Sequence, residues 1–178
     1  MEKRNDRRDS QDEKEQKSII SQICKEIAKE NKCIELNMED FHIIGKGNGR
    51  GGKYFSRNGE LTSVKIRRNH CKDSKAIDGV VYFRNKETNK YIDIYFYCKF
   101  TKSGGGDQDY IPFEVEITKG CIQKNTTDKL AVIFMLEGGY WRPSVIEDCD
   151  FDNEKTFYAN RETMKKTLID ILKTNQII

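Results

Sequence analysis

The chain has 178 residues, a formal net charge of +3 and 36% hydrophobic residues. That length suits one continuous core and one active site, hardly two. No stretch approaches the roughly 20 apolar residues that cross a bilayer, and MEKRNDRRDSQDEKEQK lacks the apolar centre of a secretory leader, so a cytoplasmic protein with no membrane partner is expected.

Residues 1–17 mix both charge signs with almost no apolar side chain and are expected to form a flexible charged tail ahead of one domain over 18–178. From Ser18 the apolar positions Ile19, Ile20, Ile23, Cys24, Ile27 and Ala28 recur at intervals of three and four, which predicts an amphipathic helix ending near Asn31.

The stretch GKGNGRGGKYFSRNGE over 45–60 is too rich in glycine for a regular element and reads as a long mobile loop. It is no P-loop, because Gly47 to Lys53 has the length of that motif but ends in Lys-Tyr. Between His42 and Lys75 the cations Lys46, Arg50, Lys53, Arg57, Lys65, Arg67, Arg68, Lys72 and Lys75 face only Glu60 and Asp73. Such a run would neutralise several phosphates and release their counterions; an ordinary solvated surface is the plainer alternative.

Val80 to Phe83 and Tyr91 to Phe100 are rich in β-branched and aromatic residues and flank the polar RNKETNK, which predicts a hairpin. On its second strand Asp93, Tyr95, Tyr97 and Lys99 share one face, while Ile94, Phe96, Cys98 and Phe100 share the other. Residues 110–124 fit a helix through Ile111, Val115, Thr118 and Ile122, with Asp109 as its cap and Pro112 in its first turn, although Phe113, Val115 and Ile117 also alternate as in a strand. LAVIFML over 130–136 reads as a strand buried on both faces, GGYWRP as a turn, and 161–173 as a closing helix. Trp141 reads as a packed residue of that turn.

The six cysteines, Cys24, Cys33, Cys71, Cys98, Cys121 and Cys149, form no CxxC pair, and His42 and His70 are the only histidines, so no zinc spacing exists and reduced structural thiols are expected.

The elements follow an α-β-β-β-α-β order. Within it stand Ala76-Ile77-Asp78-Gly79-Val80, then Tyr97-Cys98-Lys99-Phe100, then Ser103-Gly104-Gly105-Gly106-Asp107-Gln108-Asp109. This resembles the PD-(D/E)XK nuclease superfamily, in which an Asp opens one strand, an (E/D/Q)xK triplet ends the next and a GGxQD loop follows. The resemblance implies an α/β restriction-endonuclease-like core with a mixed central β-sheet flanked by helices. It implies Mg²⁺ as cofactor, double-stranded DNA as partner and a homodimer that cuts both strands. Asp78, Lys99 and Gln108 would be catalytic; Asp78, the carbonyl of Cys98, and Asp93 would hold the metal. Lys46, Arg50, Lys53, Arg57, Arg67 and Arg68 would contact the DNA backbone.

The triplet departs from the pattern at Tyr97, which replaces an acid with a phenol that stays protonated at neutral pH. Asp93, Gln108, Asp109 and Glu26 are candidate replacements, and a strand over 113–117 would instead offer Asp93 with Glu114 and Glu116 as a D…ExE set. A DNA-binding module with a degenerate site is the alternative function, and a domain binding an acidic protein is a third.

Overall fold

A computed structural model describes residues 11–40, 53–62, 76–102 and 110–178. Helix α1 spans Gln11–Glu30 and strand β1 Ile34–Asp40; a small hairpin pairs β2, Tyr54–Phe55, with β3, Leu61–Thr62. Strands β4, Gly79–Asn85, and β5, Tyr91–Phe100, precede helix α2, Tyr110–Gln123, and strand β6, Leu130–Glu137. Helix α3, Pro143–Cys149, strand β7, Thr156–Ala159, and helix α4, Met164–Thr174, close the chain.

Five strands make one mixed sheet in the order β1-β4-β5-β6-β7, antiparallel from β1 through β5 and parallel from β5 through β7. The helical spacing Ile20, Cys24, Ile27 of α1 and Met164, Leu168, Ile171 of α4 buries both helices against Val81, Phe83, Ile94, Phe96 and Ile133 on one face. On the other face, α2, α3 and Phe55 of the hairpin cover Val80, Tyr95, Tyr97, Val132 and Phe134. The result is the expected α/β architecture, a mixed central sheet flanked by helices.

Local chemistry accounts for the connections. Between β4 and β5, the Asn85 side chain accepts from the amides of Glu87 and Thr88 at 2.9 and 3.0 Å, and Asn89 takes a positive φ of 59°. After β6, Gly138 has φ +102° and a Cβ there would strike the carbonyl of Thr101, so glycine is required where the chain crosses the end of β5.

Four expectations change. The helix begins at Gln11 rather than Ser18, because the polar Gln16 is fully buried on its inner face, so residues 11–17 are not tail. Part of the expected glycine-rich loop is the β2–β3 hairpin, whose Phe55 is fully buried and stacks edge-on to Tyr95 at 5.7 Å. Residues 113–117 lie within α2, which removes the strand needed for the Asp93, Glu114, Glu116 register. After GGYWRP the chain forms α3, with Pro143 in its first turn, and then the edge strand β7, neither of them anticipated.

Strand β1, between the first helix and the glycine-rich segment, was not located from the sequence either, while the other elements agree with it. The β4–β5 hairpin, α2, the fully buried β6 and α4 lie where periodicity placed them, and Trp141 is buried. Cys24, Cys33, Cys98, Cys121 and Cys149 are free thiols; Cys71 lies outside the described residues. Among the described residues no helix is long and apolar enough to cross a membrane.

Candidate active site

The carboxyl ends of β5 and β6 bring together groups from distant parts of the chain. Asp78 immediately precedes β4; its amide donates to the Phe96 carbonyl at 2.8 Å, fixing the start of the strand beside the end of β5. Its Oδ2 accepts the amide of Cys98 at 2.6 Å, a short charge-assisted bond of the kind worth about 1.5–3 kcal/mol. Asp78 is thus held against the middle residue of the Tyr97-Cys98-Lys99 triplet. Lys99, one residue on and 33% exposed, extends its ammonium at this sheet end.

Sequence reasoning missed Glu13. It lies in the first turn of α1, and its Oε1 stands 3.9 Å from Lys99 Nζ. It was hidden in a segment whose charged composition resembles a solvated tail. The usable signal was Gln16, one turn further on, in helical register with Ile20, Cys24 and Ile27.

Tyr97 sits among these groups and is buried. Burial pushes its phenol above the ordinary tyrosine value, and the charges of Glu114, Asp78 and Glu13 push it further the same way. Carboxylates from α2, from the start of β4 and from α1 therefore all act on one phenol. Tyr97 packs against Phe134 with ring centroids 5.3 Å apart, so the residue replacing the expected acid serves as neutral core.

Other expected site residues lie elsewhere. Asp93 pairs with Tyr82 four residues back along β5 from Tyr97, roughly 13 Å at the rise of a strand, so it shares no ion with Asp78. Burial raises its carboxyl above the ordinary value, and its charge acts on Tyr95 and Tyr82 instead. Glu26, a candidate replacement acid, is thirteen helical residues from Glu13, about 20 Å, and pairs with Lys165 at 3.5 Å. Lys53 bridges to Ile77, its carbonyl accepting the Ile77 amide at 2.9 Å, and so stands next to Asp78. Arg57 lies in the turn of the hairpin, where Asn125 after α2 donates to the Gly59 carbonyl at 2.7 Å, away from that end. Gln108, Asp109, Lys46, Arg50, Arg67 and Arg68 lie outside the described residues.

Asp78 and the Cys98 carbonyl are hard oxygen donors of the type Mg²⁺ prefers. Among the described residues, however, no three acidic, histidine or cysteine side chains stand close enough together to hold an ion. The described residues do not by themselves make a complete metal site. What they do make is the Asp78 carboxylate bonded to the Cys98 amide, next in the chain to Lys99, beside a cavity of about 270 Å³ bordered by Asp78, Cys98, Lys17 and Met38.

No family model matches the chain, and no curated protein matches it. Among solved structures the chain is similar to the MspJI restriction endonuclease in complex with a 27-mer oligonucleotide, with 12% identity and a TM-score of 0.35. The match covers 94% of this chain and 30% of that one, so this chain spans less than a third of that protein's length.

Proposed function

We propose that this chain is a Mg²⁺-dependent endonuclease that hydrolyses phosphodiester bonds of double-stranded DNA, with Asp78 and Lys99 as its reacting pair. The observation that carries the reading is the 2.6 Å bond from the Cys98 amide to Asp78, which places Asp78 beside the residue preceding Lys99. Resemblance to the PD-(D/E)XK pattern supplies the reaction class and the pairing; the geometry contributes the bond of Asp78 to the strand that carries Lys99.

In this reading the Lys99 ammonium orients the attacking water and offsets negative charge that builds on the phosphate. Glu13 holds that ammonium at the strand end when no substrate is present. Lys53, adjoining Asp78, contacts the DNA backbone, with Lys46, Arg50, Arg67 and Arg68 extending that contact. The metal requirement rests on donors beyond the described set, for which Gln108 and Asp109 are the candidates, together with oxygens of the phosphate itself. Cutting both strands would call for two copies of the chain.

One observation favours a second reading, a DNA-binding module with a degenerate site. Tyr97 is buried and held neutral where the motif needs an acid. Plasmid DNA incubated with the protein in Mg²⁺, Mn²⁺ or chelator distinguishes the two. Metal-dependent fragments lost in Asp78→Ala and Lys99→Ala support the nuclease; intact DNA retarded in a salt-dependent manner supports the module. Tyr97→Glu should raise the activity of an impaired nuclease and leave a mere binder inert. Neither cleavage nor retardation at low salt would sink both readings.

A further inference from the structure

The inner face of α1 is apolar at Ile20, Cys24 and Ile27 but carries a fully buried amide at Gln16. The Gln16 amide nitrogen donates toward the carbonyls of Lys99 and Met135, both at 3.3 Å, and toward Glu137 Oε1 at 3.1 Å. Glu137 ends β6 and is itself buried. It accepts the backbone amide of Arg161 at 2.9 Å and the guanidinium Nε at 3.0 Å. The same guanidinium reaches back to Glu15 of α1 at 3.1 Å.

The circuit therefore closes: α1 to the ends of β5 and β6, on to the segment before α4, and back to α1. Such a circuit is an expensive way to dock a helix. A buried amide must recover its desolvation cost through hydrogen bonds, and the Gln16 Oε1 has no hydrogen-bond partner among the described residues. An apolar residue at position 16 would continue the face already formed by Ile20, Cys24 and Ile27 without that cost. What the polar circuit adds is position: it ties the first turns of α1 to the Lys99 carbonyl and leaves Glu13, one turn earlier, facing the Lys99 ammonium.

We propose that Gln16, anchored by Glu137 and Arg161, is a positioning residue for Lys99, fixing both its strand and the Glu13 carboxylate that covers its ammonium. The proposal rests on reading Lys99 as a reacting group, but its geometry is independent of the substrate. Burial pushes the Glu137 carboxyl up, yet the side-chain and backbone bonds from Arg161 and the bond from Gln16 outweigh that and hold it below its ordinary value. The anchor is therefore charged at neutral pH, as bonds from a guanidinium favour.

The test reads Lys99 directly. The purified chain is treated with limiting sulfo-NHS acetate, and acylation of Lys99 is followed by peptide mass spectrometry against Lys166, whose side chain is 82% exposed, as internal standard. Gln16→Met, which keeps volume and removes the donors, and Glu13→Gln should each raise Lys99 acylation several-fold over Lys166. Ile20→Val, a loss of packing on the same helix face, should not. Unchanged acylation in Gln16→Met, or an equal rise in Ile20→Val, would overturn the proposal.

Where wild type cleaves DNA, Gln16→Met should also lower kcat about tenfold with little change in KM, and should cost nothing further in a Lys99→Met background. Equal losses in both backgrounds would contradict a role exerted through Lys99. A wild type that never cleaves refutes the nuclease reading and leaves the acylation result to decide this one.

Discussion

The two faces of the sheet are buried alike but built differently. Against α1 and α4 the packing is mostly aliphatic, from Val81, Ile94 and Ile133 to Leu168, Ile171 and Leu172, with Phe83 and Phe96 among them. Against α2 and α3 it is aromatic and partly polar: Tyr95, Tyr97, Phe134 and Trp141 surround Val132, and the lysine of Lys119 is buried beside Phe151. Lys119 donates to the Cys149 carbonyl at the end of α3 and pairs with Glu116 at 3.0 Å, so even this buried charge is satisfied. At the rim formed by the carboxyl ends of β5 and β6 both sides contribute polar groups, Tyr97 and Glu114 from the aromatic side, Gln16 and Glu13 from the α1 side. Stability is thus shared by both faces, and the polar groups at the strand ends come from both.

The largest expected effect belongs to the rim. Lys99→Met should reduce DNA cleavage by at least about 10²-fold, in keeping with loss of one preorganised charge, while leaving the thermal midpoint near wild type. Measuring both on the same preparation separates chemistry from folding. On the aliphatic face, Leu168→Ala should destabilise by about 2–5 kcal/mol in urea denaturation, because Leu168 is fully buried and its cavity cannot collapse freely. The cleavage rate of the molecules still folded should be unchanged.

A smaller effect comes from acid. Glu137 has its folded-state value held below the unfolded one, so its contribution is complete at neutral pH and is lost as pH falls through the carboxylate range, between roughly pH 5 and pH 3. Glu137→Gln should therefore flatten the fall in denaturation midpoint over that interval. The smallest change is expected at exposed pairs. Lys165 lies between Glu30 and Glu26 at 3.0 and 3.5 Å on the outside of α1 and α4, and Lys165→Met should leave the midpoint indistinguishable from wild type at moderate salt.

How much of this was legible in the sequence follows the same division. Strong periodicity located α4, the β4–β5 hairpin and β6, because a continuous burial requirement writes itself into spacing. The edges were harder. Strand β7 is only four residues long, and α3 seven, too short for a period to declare itself.

The α1 boundary was misplaced because Gln16 and Glu13 act through tertiary partners at positions 99, 135 and 137 that local composition does not contain. Asp78 and Lys99 could be singled out together from the order of the motif, and the structure bonds Asp78 to the amide next to Lys99. Asp93 shares a strand face with Tyr97, but a shared face says nothing about distance along the strand, and the two stand four residues apart on β5. Likewise Glu26 belongs to the same helix as Glu13 but stands toward its other end, paired with Lys165.

The most direct measurement compares single-turnover cleavage of a DNA duplex in Mg²⁺ by wild type, Asp78→Asn, Lys99→Met and the double variant. If the two side chains act as one unit, each single change should remove nearly all activity and the double should be no worse than either. An Asp78→Asn enzyme that cleaves at the wild-type rate would contradict the assignment of this strand end as the reacting site.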